Sequence, residues 1–127
     1  MKTKNIIVRR ATLEDIKTIQ QFGYKLLDYE RQNWDSALDV NWPFSKEGEQ
    51  KYRTAITDKY TIIAEKGGKP VGYLIGKVVD AAPGSARHIK QAYLENIFVS
   101  DSDRKSGVGV KLIVDFRDYC KKEGVSR

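Results

Sequence analysis

Tyr93-Leu94-Glu95-Asn96-Ile97-Phe98-Val99, then Ser100-Asp101-Ser102-Asp103, then Arg104-Lys105-Ser106-Gly107-Val108-Gly109, runs from a strand pattern through a polar loop into a helix pattern. Its first part is dense in β-branched and aromatic residues and predicts a strand over 93–99. Its last part opens into Val108, Leu112, Phe116, Tyr119 and Cys120, which recur at helical spacing and predict a helix over 108–123. A strand, a short loop and a helix N-terminus together make an anion cradle. Successive backbone N–H groups converge there, and the helix dipole adds partial positive charge. Glycine at 107 and 109 lets phosphate oxygens approach without meeting a Cβ. Two better-known phosphate loops do not fit. A P-loop needs Gly-Lys-Ser or Gly-Lys-Thr, whereas Val110 and Lys111 follow Gly109, and a dinucleotide fingerprint needs glycine where Leu112 stands. On spacing alone, a glycine-rich turn entering an ordinary helix stays open beside the cradle.

Upstream of that stretch, Ile6, Ile7 and Val8 predict a first strand, closed by Arg9-Arg10-Ala11. A helix should follow at once: Thr12 offers a hydroxyl cap, Asp15 sits where a capping box would have its acid, and Leu13, Ile16, Ile19, Phe22, Leu26 and Leu27 form the stripe. The stripe ends near Tyr29, and residues 31–44 read as a loop with an unusual load of aromatics that could line a pocket. Ser45 caps a second helix running to about Thr57, with Glu49 spaced to pair with Arg53. Residues 60–65, the turn Lys66-Gly67-Gly68-Lys69 and residues 70–79 predict an antiparallel hairpin, and residues 80–90 a polar loop. Gly124 is placed to stop the last helix, after which a further strand is expected to begin.

A chain of 127 residues with 40% hydrophobic and 31% charged residues predicts one soluble globular domain over 1–127. No apolar run approaches the roughly 20 residues of a membrane span, and the N-terminus does not resemble an export signal, so the expected compartment is the cytoplasm. The single cysteine, Cys120, can make neither an internal disulfide nor a thiolate zinc site, and no metal is expected. The formal charge of +6 favours an anionic partner, either nucleic acid or a phosphorylated cofactor. The basic residues are spread along the chain, with no zinc-finger spacing and no basic-aromatic RNA-binding signature.

Val99 followed at fixed spacing by Arg104, Gly107 and Gly109 resembles the acyl-CoA pyrophosphate motif of GNAT N-acetyltransferases, and the order of elements is similar along the whole chain. The resemblance implies a mixed α/β GNAT fold, a mostly antiparallel mixed sheet flanked by helices, here lacking its last strands and helix. It implies that the backbone amides of Arg104, Lys105, Ser106, Gly107, Val108 and Gly109 hold the cofactor pyrophosphate. Main-chain groups around Phe98 and Val99 would pair with the pantetheine arm. Acetyl-CoA is then a co-substrate, and the activity is transfer of its acetyl group to a primary amine by direct attack.

Glu95 is the candidate catalytic side chain. An amine with a pKa near that of lysine, about 10.4, is mostly protonated at neutral pH and must lose a proton before it attacks a thioester. Glu95 could take that proton, and Leu94-Glu95-Asn96-Ile97-Phe98-Val99 resembles the segment where family members carry their general base. A polar residue on a strand face is the plainer alternative. The family suggests the N–H of Val99 as oxyanion donor. Asp28, Glu30, Asp35 and Asp39, interleaved with Tyr29, Trp34 and Trp42, could receive a cationic amine, or could be ordinary acidic surface. His88 reads as solvent-exposed and Cys120 as a packed small residue, neither catalytic. The expected partner is a small-molecule or peptide amine, with no membrane and no nucleic acid, and a homodimer is compatible with the sequence. A non-catalytic acyl-CoA-binding or regulatory module and a nucleic-acid-binding protein remain the alternative functions.

Overall fold

The computed structural model describes residues 5–80 and 89–125. Four strands, β1 (Ile6–Arg10), β2 (Tyr60–Lys66), β3 (Lys69–Asp80) and β4 (Lys90–Val99), form one sheet in the order β1-β2-β3-β4, every pair antiparallel. Three helices flank it: α1 (Ile16–Asn33), α2 (Lys46–Asp58) and α3 (Val108–Lys122). The polar loop expected over 80–90 is bounded by these strands, and His88 lies outside the described residues. Strand β4 begins at Lys90, three residues before the expected Tyr93, because 90–92 pair with Val78, Val79 and Asp80 at the far end of β3.

Alternation along β2 and β3 sends Ile63, Tyr73 and Ile75 to one face and Ile62, Ala64 and Leu74 to the other. The first set packs under Ile19 and Phe22 of α1 and Tyr52 and Ala55 of α2; the second packs under Val108, Leu112 and Phe116 of α3. Both faces of the central strands are therefore buried, which is why β3 reads Val71 to Ile75 as a near-continuous apolar run.

The first helix departs from expectation at both ends. Leu13 to Asp15 form a 3-10 turn, and Leu13 is about half exposed instead of belonging to the buried stripe. The α-helix then runs through Asn33, past the point where the apolar stripe stops, because an exposed last turn needs no apolar side. Asp28 ties that turn together by accepting from Arg31 and Gln32. At the entry, the Asp15 carboxylate accepts the Thr12 backbone N–H at 2.7 Å and holds Arg9 of β1 through two bonds of 2.9 Å. Helix α2 starts as expected, the Ser45 hydroxyl accepting from the Gly48 N–H at 3.0 Å. Helix α3 ends at a left-handed Gly124, beyond which the Val125 N–H reaches the Cys120 carbonyl at 3.0 Å.

Candidate active site

The loop from β4 to α3 is organised by one side chain that the sequence reading passed over. Asp103, nearly buried, accepts from the hydroxyls of Ser100 (2.9 Å) and Ser102 (3.2 Å) and from Lys66 Nζ at 3.4 Å. The Ser100 hydrogen bond outweighs desolvation and, with the others, holds this carboxyl below its ordinary range. Its main-chain carbonyl accepts both the N–H and the hydroxyl of Ser106. The chain is thereby bent into a tight turn that ends at Gly107, whose φ of +89° is left-handed, and α3 begins at Val108.

Of the loop amides from Arg104 to Gly107, only that of Ser106 has an acceptor among the described residues. The other three, on Arg104, Lys105 and Gly107, are available to a ligand just ahead of the positive end of a fifteen-residue helix. A Cβ built on Gly107 would meet nothing within 4 Å, and one on Gly109 would meet only Val99 Cγ2 at 3.8 Å. There is room at this turn for a diphosphate, and donors for it to bind.

Strand β4 is the edge of the described sheet. The Ser100 N–H donates inward to the Val71 carbonyl at 2.9 Å, and a Cβ on Gly72 of β3 would press on the Phe98 carbonyl, so by alternation Val99 turns its own N–H and C=O to the open edge. Arg104 Nε already reaches that Val99 carbonyl at 3.2 Å, while one of its terminal nitrogens pairs with Asp101 at 3.0 Å and its guanidinium carbon lies 5.4 Å from the Tyr29 ring centroid. Arg104, Tyr29 and Phe98 are shared by two adjoining clefts of about 510 and 450 Å³ between α1 and the end of β4. Of the two residues expected to meet a pantetheine arm, Val99 offers open main-chain groups. Phe98 contributes a buried ring instead.

Glu95 lies on a different wall. The β3–β4 pairing passes from Ile75↔Asn96 to Gly76↔Leu94, leaving Glu95 as the extra residue of a β-bulge. The bulge lets Glu95 and Asn96 line the same cleft, of about 430 Å³, together with Trp42 and Tyr52. Three lysines complete it: Lys51 from α2, Lys59 just past the end of α2, and Lys77 from β3. Lys59 Nζ approaches both carboxylate oxygens of Glu95, at 2.8 and 3.1 Å, and Lys77 Nζ lies 3.2 Å from one of them. Burial pushes the Glu95 carboxyl up, but the hydrogen bonds and charges of the two ammonium groups outweigh it and hold it below its ordinary value. In the same cleft, burial pushes the Tyr52 phenol up to about 12, so it stays neutral.

The acidic and aromatic set between 28 and 42 is not brought together. Asp35 and Asp39 accept backbone N–H groups of Ala37 and Asn41, which is turn chemistry. Tyr29 and an exposed Trp34 pack edge to face beside the Arg104 clefts, whereas Trp42 packs on Tyr52 beside the lysines. Cys120 is buried on α3, its thiol pushed up by desolvation. Among the described residues no helix is long and apolar enough to cross a membrane, and there is no group of metal-ligating side chains.

Residues 24–127 match the family model described as the acetyltransferase (GNAT) family. No curated protein matches the chain. Among solved structures, a mutant of the BH1408 protein from Bacillus halodurans superposes with a TM-score of 0.82 at 16% identity, over 94% of this chain and 78% of that one. A predicted acetyltransferase from Clostridium acetobutylicum, solved with acetyl-CoA, gives 0.76 at 15% identity, over 97% and 78%. The PaiA N-acetyltransferase from Thermoplasma acidophilum, in complex with coenzyme A, gives 0.77 at 16% identity, over 95% and 75%. These likenesses are of fold.

Proposed function

This chain belongs to the GNAT acetyltransferase family, and on that premise we propose that it moves the acetyl group of acetyl-CoA to a primary amine. The observation that carries the reading is the row of unengaged amides on Arg104, Lys105 and Gly107 leading into the start of α3, beside glycines that leave the approach clear. Those amides would hold the diphosphate, each charge-assisted bond contributing about 1.5–3 kcal/mol. Bound acetyl-CoA supplies an acyl group activated as a thioester. The Val99 N–H, on the open edge of β4, donates to the thioester carbonyl oxygen as negative charge develops there. The Glu95 carboxylate, ionised at neutral pH, takes a proton from the acceptor ammonium, directly or through one water, and so frees the nitrogen lone pair.

The chain alone is the test object. Acetyl-CoA at about 100 times its dissociation constant should stabilise the protein by about 2.7 kcal/mol, raising the melting temperature by several degrees. Thiol release with a panel of primary amines should follow; a flat melting titration would overturn the reading. One feature favours a second reading, an acyl-CoA-binding module without turnover: two ammonium groups on Glu95 weaken it as a base. Cofactor binding with no thiol release for any amine would select it.

A further inference from the structure

Granted amine acetylation at Glu95, the lysines around it narrow the acceptor. We infer that the amine acetylated by this chain carries an acidic group, a carboxylate or a phosphate, which Lys59 and Lys77 bind while its nitrogen faces Glu95. The cleft holds three ammonium groups against one carboxylate. Lys59 and Lys77 share that single carboxylate, and no other acid among the described residues pairs with either. Lys51 pairs with no carboxylate there and has only the Trp42 ring, 5.7 Å from its Nζ. A cleft in this state has excess positive charge waiting for an anion, and it repels a polyamine or a lysine-rich segment. At about 430 Å³ it is within the size range of small-molecule sites.

The same arrangement couples recognition to chemistry. Two ammonium groups at 2.8–3.2 Å cover the carboxylate that has to act as base. When the substrate's acid takes up Lys59 and Lys77, Glu95 loses two stabilising partners just as an ammonium arrives beside it. The ammonium gives one proton to Glu95, the freed nitrogen lone pair forms the bond to the acyl carbon, the carbon–sulfur bond breaks with its electrons leaving on the coenzyme A sulfur, and the second proton that the nitrogen sheds as it becomes an amide passes through solvent to that thiolate. An amine without the acid leaves the clamp closed.

Matched acceptors test this on the whole chain. Thiol release and calorimetric binding to the coenzyme A-loaded protein are measured for an amino acid and its methyl ester, for phosphoethanolamine and ethanolamine, and for a linear diamine. The acidic member of one pair should show a kcat/KM at least tenfold above its neutralised partner, and which pair responds tells carboxylate from phosphate. Lys77→Met should bring that ratio near one, mainly through KM for the acidic amine, with the melting shift from acetyl-CoA retained; Lys59→Met should act in the same direction. A diamine turned over as well as the acidic amines, or a ratio unchanged in Lys77→Met, overturns the inference while leaving the transferase reading intact. If no amine is turned over but acidic amines still bind tenfold better than their neutral partners, and Lys77→Met abolishes the difference, the anion site stands and the transferase reading falls. The absence of both turnover and preferential binding of the acidic amines sinks the inference.

Discussion

Replacing Gly109 by alanine should make the free protein more stable and its complex with acetyl-CoA weaker, and those opposite signs make it a sharp test of the amide cradle. Gly109 is the second residue of α3, inside the helix, and an added Cβ meets only Val99 Cγ2 at an ordinary 3.8 Å. Alanine there avoids the helix penalty of glycine and has less freedom to lose on folding, together worth about 0.5–1 kcal/mol. For a domain of this size the melting temperature should rise by roughly 2–4 °C. The new methyl stands in the gap between Val99 and the helix start, on the path by which the proposed diphosphate would reach the turn. Losing one charge-assisted bond costs about 1.5–3 kcal/mol, so the dissociation constant should rise roughly ten- to a hundredfold. Melting curves with and without acetyl-CoA, with calorimetric titration of both proteins, read the two effects separately. A Gly109→Ala protein that melts higher and binds acetyl-CoA with wild-type affinity would refute the cradle, since misfolding could not be blamed.

Glu95→Gln should lower kcat by at least about a hundredfold, the usual scale of general-base loss, while the acetyl-CoA melting shift is kept; wild-type turnover in this variant would remove Glu95 from the chemistry. Asp15→Asn should cost about 2–3 kcal/mol in a urea titration, because it breaks the charged two-bond contact with Arg9 and leaves that guanidinium short of a partner. The pH dependence follows from the same contact. The Arg9 hydrogen bond outweighs burial and holds the folded Asp15 carboxyl below its ordinary value. Its stabilisation is therefore complete above the unfolded pKa of about 3.9 and is lost as pH falls below that towards the folded pKa. Wild-type stability should drop more steeply on acidification than that of Asp15→Asn; parallel curves would show that Asp15 is not the group responsible.

What the sequence made legible is what neighbours along the chain decide. Ser45 caps α2 through Gly48, three residues on, and Gly124 stops α3 through Val125 and Cys120; both are short-range rules applied to visible residues. The stripe Val108, Leu112 and Phe116 is buried as its spacing requires. Leu13 broke the same rule because it precedes the helix proper, in a 3-10 turn whose side chains follow a different period. The tight turn into α3 was legible as a spacing of glycines. Asp103, which holds the loop in shape, was not, because its three partners are two hydroxyls that precede it, on Ser100 and Ser102, and a lysine 37 residues away on β2.

The chemistry around Glu95 was hidden for a related reason. Strict alternation would give Glu95 and Asn96 opposite faces, so a reader of the strand must discard one of them. One extra residue in β4 removes that choice and turns both towards α2, and nothing in Leu94-Glu95-Asn96 announces a bulge. The lysines are harder still. Lys59 ends a helix and Lys77 lies near the outer end of a strand, the places where a lysine is ordinarily a solvated surface charge. They acquire meaning only when antiparallel pairing folds β3 back on β4 and sets Lys77 across from Tyr93, two residues from Glu95. A sequence read element by element therefore finds the Glu95 carboxylate and misses the two ammonium groups that cover it, and on the reading proposed above those charges, more than the carboxylate, would decide which amines the cleft accepts.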